Sequence, residues 1–193
     1  AFSAEQVDAL GMAIYNFKLG NGFILGDQTG VGKGRVVAGL LRYGMRNGLK
    51  PIFVTEKPDL YSAMIADLQD IGMTDAQIKP LITNMDSKVK PTMGVMDGAP
   101  LYRMGSQAAR KKIIANPADG IGSYNMVFTT YNQMQKVAGK ETARTKFFDT
   151  LSREGMVIFD EAHNAGGSGQ KAKVDKWARY GDLVNNDPEG IFE

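Results

Sequence analysis

The chain has 193 residues, of which 43% are hydrophobic and 23% charged, with a net charge of +2, one histidine and no cysteine. That balance belongs to an ordinary folded domain and excludes wholesale disorder. Without cysteine there is no disulfide scaffold, thiolate zinc site, iron–sulfur cluster or cysteine nucleophile, and His163 alone cannot make the two-histidine helix motif of zinc proteases.

Residues Ala4 to Leu19 place Val7, Leu10, Ala13, Ile14 and Phe17 at spacings of three and four, which predicts a helix capped by Ser3 and ended by Gly20-Asn21-Gly22. Gly22 to Gly26 is a short apolar run that predicts a strand. Asp27 to Gly32 is a glycine-rich loop, and Arg35 to Asn47 returns to helical spacing. A second strand is expected over Pro51–Thr55, then a helix from about Pro58 to Ile71 and a weaker strand at Pro80–Thr83. Further strands are expected at Tyr124–Thr130 and Met156–Phe159, whereas Asp86 to Pro117 has poor periodicity. Strands apolar on both faces and separated by helices predict an α/β fold with a parallel sheet covered on each side. No run approaches the ~18–20 apolar residues of a membrane helix, and the opening residues do not form a signal peptide. The start at Ala1 without methionine and the end on Ile191-Phe192-Glu193 are read as those of a piece of a longer polypeptide.

The sharpest chemical feature is Gly26-Asp27-Gln28-Thr29-Gly30-Val31-Gly32-Lys33-Gly34, between a predicted strand and a predicted helix. Glycines at 30 and 32 let backbone N–H groups turn inward around phosphates, the helix start adds its positive end, and Lys33 adds a charge. The competing reading is a glycine-rich turn with an incidental lysine. Against the usual phosphate-loop pattern, Asp27 replaces the first glycine and Gly34 replaces the Ser or Thr that holds Mg²⁺. The metal then depends on a carboxylate elsewhere. Asp160-Glu161, directly after the apolar strand Met156–Phe159, meets that need: Asp160 for Mg²⁺ and Glu161 to orient and deprotonate water. The plainer alternative is that both acids cap and open a following helix. Arg35 reads either as a phosphate contact or as a solvent-facing arginine.

Asp160-Glu161-Ala162-His163 together with the loop resembles motifs I and II of superfamily 2 helicases and translocases. The run Gly30-Val31-Gly32-Lys33-Gly34-Arg35, continued by Val36-Val37-Ala38-Gly39, is similar to the strawberry notch family, in which glycine at the Ser/Thr position is usual. The resemblance covers roughly Phe2 to Gly166. It implies a RecA-like P-loop NTPase domain, the first motor lobe of an ATP hydrolase that moves along or remodels nucleic acid, DNA in preference to RNA. ATP and Mg²⁺ are the implied ligands, with Asp27, Thr29, Gly30, Val31, Gly32, Lys33, Gly34 and Arg35 around the nucleotide. Gln6 resembles the adenine-reading glutamine. In Val127-Phe128-Thr129-Thr130-Tyr131, the resemblance puts Thr130 and Tyr131 near the nucleic-acid backbone, and His163 couples the nucleotide site to the third motif.

The same resemblance implies a missing partner. Residues 1–193 are read as one lobe, and a second RecA-like lobe, carrying an arginine finger worth ~10³–10⁵ in rate, lies in the parent chain or another subunit. The isolated lobe is therefore expected to bind nucleotide better than it hydrolyses it. The expected setting is the cytoplasm of a bacterium or phage-infected host, with no membrane partner. The alternative function is a non-hydrolysing structural or partner-binding module with the same fold inside a large protein. Lys88 to Lys112 holds six basic residues and one acid, Asp97, which suits either a nucleic-acid backbone or a solvated surface. Met residues and Trp177 read as packing, and Ala165–Gly169 as a switch loop or a linker.

Overall fold

The computed structural model describes residues 2–26, 32–85, 105–134 and 141–162. Asp27, Thr29, Gly30, Val31, His163, the 165–169 loop, Trp177 and the basic residues Lys88, Lys90 and Arg103 lie outside the described residues. In chain order the elements are α1 (Ala4–Lys18), α2 (Lys33–Arg46), β1 (Ile52–Thr55), α3 (Leu60–Asp70), β2 (Pro80–Ile82), α4 (Gln107–Ala115), β3 (Met126–Thr130), α5 (Tyr131–Met134), α6 (Ala143–Glu154) and β4 (Val157–Phe159).

The starts of these helices follow from local chemistry. Ser3 and Gln6 form a capping box at α1, in which the Ser3 hydroxyl accepts from the Gln6 backbone N–H and the Gln6 side-chain oxygen accepts from Ser3 N–H. Ser106 caps α4, and Thr142 caps α6 through Thr145. α2 and α3 have no side-chain cap, and α2 differs further in that its N-cap is Gly32, left-handed at φ 75°.

The four strands are parallel in the order β2-β3-β1-β4. Alternation along each strand divides the core into two faces. Phe53, Ile82, Met126, Phe128 and Ile158 pack with Leu41, Tyr61, Met64, Ile65 and Leu68 of α2 and α3. On the opposite face, Ile52, Val54, Leu81 and Val127 pack with Ile114, Tyr131, Phe147, Phe148 and Leu151. Phe53 meets Phe128 edge to face at 5.3 Å between ring centroids. Each such side chain, removed from water, contributes ~1.5–3 kcal/mol. The sheet is thus covered by helices on both faces, as a RecA-like α/β domain requires. The chain leaves β1 for α3 on one face and leaves β3 for α5 and α6 on the other. Their outgoing connections part at the carboxyl ends of two neighbouring strands, where open α/β sheets receive ligands.

Two expectations are corrected. The strand predicted at Gly22–Gly26 does not form: these residues lie outside the described sheet, and Ile24 is 61% exposed. An apolar run makes a strand only where a neighbouring ladder takes its backbone hydrogen bonds, and glycine at both ends weakens extended structure. The second correction is α4, which lies inside the stretch judged aperiodic; Ser106 starts it by accepting from Ala109 N–H at 3.2 Å. Arg110 on this helix is buried, so it is no part of a solvated basic surface. Its guanidinium donates to the backbone oxygens of Ile82 at 2.8 Å, Asn84 at 3.2 Å and Met85 at 2.9 Å, tying off the end of β2. Lys111 and Lys112 are exposed. Among the described residues, no helix is long and apolar enough to cross a membrane.

Candidate nucleotide site

The carboxyl ends of the strands carry a row of threonines. Thr55, Thr83, Thr129 and Thr130 are all buried. Thr55 Oγ1 donates to Asp160 Oδ2 at 3.0 Å, Thr83 Oγ1 to Thr129 Oγ1 at 2.7 Å, and Asn84 Nδ2 to Thr130 Oγ1 at 3.3 Å. Tyr61 on α3 closes the row by donating to Asn84 Oδ1 at 2.6 Å. Every strand therefore ends in a side chain held by a neighbour, which fixes the rim of the crevice before any ligand arrives.

Asp160 is placed by backbone and side chain together. Its N–H donates to Val54 O at 2.8 Å, extending the β1–β4 ladder by one residue, and its own carbonyl accepts from Tyr131 OH at 2.7 Å. Tyr131 begins at the end of β3, so this bond spans β1 and joins the ends of three strands. The Tyr131 ring stacks on Phe159 at 6.2 Å and 11°. Burial pushes the Asp160 carboxyl above the ordinary 3.8, with the Glu161 charge adding to the rise, while the Thr55 hydrogen bond and the Lys33 charge oppose it. Burial, with Asp160 and Glu161 nearby, likewise raises the Tyr131 phenol above its usual range. Glu161 is exposed and adopts φ 54°, a left-handed conformation that is uncommon outside glycine and ends the extended strand.

Opposite this rim stands the start of α2. Lys33 is its first residue, half-buried and near enough to Asp160 for its charge to act on that carboxyl. The sequence keeps these residues 127 positions apart; the parallel topology brings them to one end of the sheet. Gln6 Nε2 donates to Gly32 O at 3.3 Å, and a side chain at position 32 would collide with that same amide. Gln6 therefore joins the start of α1 to the end of the phosphate loop. Arg35 pairs with Asp70 at 3.0 Å, an exposed ion pair of small worth.

Gly34 is also a packing residue. A Cβ there would collide with Asp67 Oδ2 and lie 3.0 Å from Asp67 Cγ, so α3 presses a carboxylate against the first turn of α2. Burial raises the Asp67 carboxyl above 3.8, helped by Asp70 and opposed by Arg35.

Thr130 and Tyr131 lie at the strand ends as expected, but both are buried and directed into the network with Asn84 and Asp160, so neither hydroxyl is presented at the surface. Sequence reasoning missed Thr55 and Asp67. Thr55 carried a signal, a polar residue closing an otherwise apolar strand; Asp67-Leu68 resembles the family's second helix, but only tertiary packing brings Asp67 against Gly34.

Mg²⁺ suits these donors. Hard carboxylate oxygen is its preferred ligand, and it takes one or two carboxylates with the rest of its shell from phosphate and water. Asp160 offers such an oxygen, and among the described residues no three acidic side chains or histidines form a complete cage. A separate open cavity of about 350 Å³, lined in part by Met85, Lys111, Gln133 and Arg144, shares no residue with this site.

The family description P-loop containing NTP hydrolase pore-1 matches residues 3–182. FORGETTER 1 of Arabidopsis thaliana is 29% identical over 154 residues, covering 75% of this chain and 9% of that protein. Protein strawberry notch of Drosophila melanogaster is 27% identical over 166 residues, 79% of this chain and 8% of that protein. Strawberry notch homolog 2 of Homo sapiens is 28% identical over 182 residues, 88% and 11% respectively. The chain thus spans about a tenth of the length of these relatives. With a phosphate-loop helix start and an acidic strand end at the same edge of a parallel sheet, the chain belongs to the P-loop containing NTP hydrolase pore-1 family and is similar to the strawberry notch proteins.

Proposed function

We propose that this chain is the ATP-binding first motor lobe of a helicase-like superfamily 2 translocase or remodeller of nucleic acid. The observation that carries this reading is the action of Lys33, at the start of α2, on Asp160, at the end of β4. A triphosphate at that end of the sheet meets a lysine, an uncapped helix start and a carboxylate together.

In this reading Lys33 and the loop from Asp27 to Gly32, with Thr29, Gly30 and Val31, bind the phosphates, and Gly34 and Arg35 continue the contact into α2. Gln6, already seated on the loop, reads adenine. Asp160 holds Mg²⁺, which when bound neutralises phosphate charge. Glu161 orients water and accepts its proton, from a backbone conformation that turns it out of the strand. Thr130 and Tyr131 position the rim along which nucleic acid passes, and His163 couples the site to the rest of the motor. A second RecA-like lobe, in the parent chain or another subunit, completes turnover.

Calorimetric titration of the chain with ATP·Mg²⁺ tests the reading. Binding is expected, and Lys33→Ala should weaken it by at least roughly tenfold, since Lys33 makes a charge-assisted phosphate contact worth about 1.5–3 kcal/mol. No binding by the unmodified chain, or equal binding by Lys33→Ala, overturns it.

A further inference from the structure

Asp160 and Glu161 are adjacent, and the peptide that joins them is where β4 stops being extended. Among the described residues Glu161 is the only non-glycine residue with a positive φ, at 54°. Such a conformation persists only where the surrounding structure holds it. Two hydrogen bonds hold it here. The Asp160 N–H donates to Val54 O at 2.8 Å, which ties the peptide before Asp160 to β1. The Asp160 carbonyl belongs to the Asp160–Glu161 peptide itself, and it accepts from Tyr131 OH at 2.7 Å. Tyr131 has little freedom of its own: it is 6% exposed, its ring stacks on Phe159 at 6.2 Å and 11°, and it opens α5 directly after β3 ends at Thr130. A hydroxyl carried on a ring so confined confines the peptide plane it bonds.

We propose that Tyr131 is a positioning residue for the acidic pair: its hydroxyl fixes the Asp160–Glu161 peptide, and so sets both the metal-holding carboxylate and the turn that carries the water-orienting one. This rests on the nucleotide-binding reading above. It assigns the Tyr131 hydroxyl to the nucleotide side of the crevice, whereas the resemblance implies the nucleic-acid side. Thr55 acts on the Asp160 side chain and Tyr131 on its backbone, so the two constraints are separate. Partners of this kind, which touch a ligand residue and not the metal, matter to a metal site nearly as much as the ligands do.

The test is the ratio of ATP affinity measured with Mg²⁺ to that measured with EDTA, by calorimetry on the 193-residue chain and its variants, with thermal melting beside it. Tyr131→Phe keeps the ring on Phe159 and removes only the hydroxyl. It should lower the ratio by about tenfold, the lower end of the usual cost of removing a partner that orients a metal ligand, and leave the EDTA affinity unchanged. In the Asp160→Asn background the same change should lower the ratio no further, because the carboxylate it positions is gone. Tyr61→Phe removes a buried phenol hydrogen bond of 2.6 Å that ends on Asn84, and should lower the ratio much less. An unchanged ratio in Tyr131→Phe, an equal loss in Tyr61→Phe, or a full further loss in the Asp160→Asn background overturns the assignment of Tyr131 while leaving nucleotide binding standing. Absence of ATP binding by the unmodified chain in either condition overturns both. Tyr131→Phe should also lower the melting temperature, and by less when Glu161→Gly is present, since glycine takes φ 54° without strain. An equal fall in both backgrounds overturns the proposal. If Tyr131→Phe alone does not fold, the double variant with Glu161→Gly decides: recovered folding supports the proposal and none overturns it.

Discussion

The two sides of the candidate site are built by opposite means. At the sheet end, Thr55, Thr83, Thr129, Thr130, Tyr131 and Asp160 are tied by hydrogen bonds of 2.7–3.5 Å to neighbours on adjoining elements. At the helix end, α2 starts on a left-handed glycine with no side-chain cap; α3 too lacks a side-chain cap at Asp59, while α1, α4 and α6 are capped by Ser3, Ser106 and Thr142. A cap would use the N–H groups that an anion needs, so a phosphate-binding helix gives up about 0.5–2 kcal/mol of local stability. The rigid side can hold a metal and a water; the uncapped side can receive the charge they act on.

The comparison breaks most sharply through Glu161. Glu161→Gln should reduce ATP turnover of the complete motor by roughly 10²–10⁴-fold while ATP affinity is kept, read from steady-state hydrolysis beside equilibrium binding. An equal loss of affinity would make Glu161 a binding residue rather than a base.

Next in size is Thr55→Val, which keeps the side-chain shape and removes the donor to Asp160 Oδ2. It should cost about 1–3 kcal/mol in denaturant unfolding and move the Asp160 carboxyl further upward, because that hydrogen bond favours the charged form. An NMR titration of Asp160 separates the two effects.

On the helix side, Gln6→Ala removes both the capping-box partner of Ser3 and the tether to Gly32 O. A loss of about 1 kcal/mol is expected in thermal melting without nucleotide. No loss would mean that the loop and α1 are independent.

The smallest effect sharpens the electrostatics. Asp160 has a folded-state pKa above its unfolded value, so the native state binds its proton more tightly than the unfolded chain does. Stability from this group is present below about 3.8 and falls as pH rises through the folded-state value. Asp160→Asn cannot ionise and should therefore gain melting temperature relative to the unmodified chain on going from acid to neutral pH. A gap that narrows instead would mean the carboxylate is stabilised when charged.

Much of the scaffold is legible along the chain. Pro51–Thr55, Tyr124–Thr130 and Met156–Phe159 announce strands through continuous apolar residues, and β1, β3 and β4 fall inside them because a sheet covered on both faces has no polar side. The Lys33 and Asp160 motifs are legible for a chemical reason: phosphates demand glycines, a helix start and a cation, and a metal demands a carboxylate at a strand end. Gly22–Gly26 misled because apolarity predicts burial, while strand formation also needs a partner that local sequence does not specify. α4 was hidden because its two buried residues, Arg110 and Ile114, do not make an apolar stripe; one of them is a cation whose two terminal nitrogens donate to carbonyls.

By itself, then, the amino-acid sequence determined the parallel α/β class, most helix and strand positions, and the two motifs whose residue types follow from phosphate and metal chemistry. Tertiary structure alone decided that Lys33 lies within electrostatic reach of Asp160, that Tyr131 braces Asp160 across β1, and that Asp67 stands where Gly34 has no side chain. The first set depends on neighbours within a turn or a strand, whose spacing the chain fixes; the second depends on residues between 29 and 127 positions apart, which only the packing of helices on a common sheet can bring together.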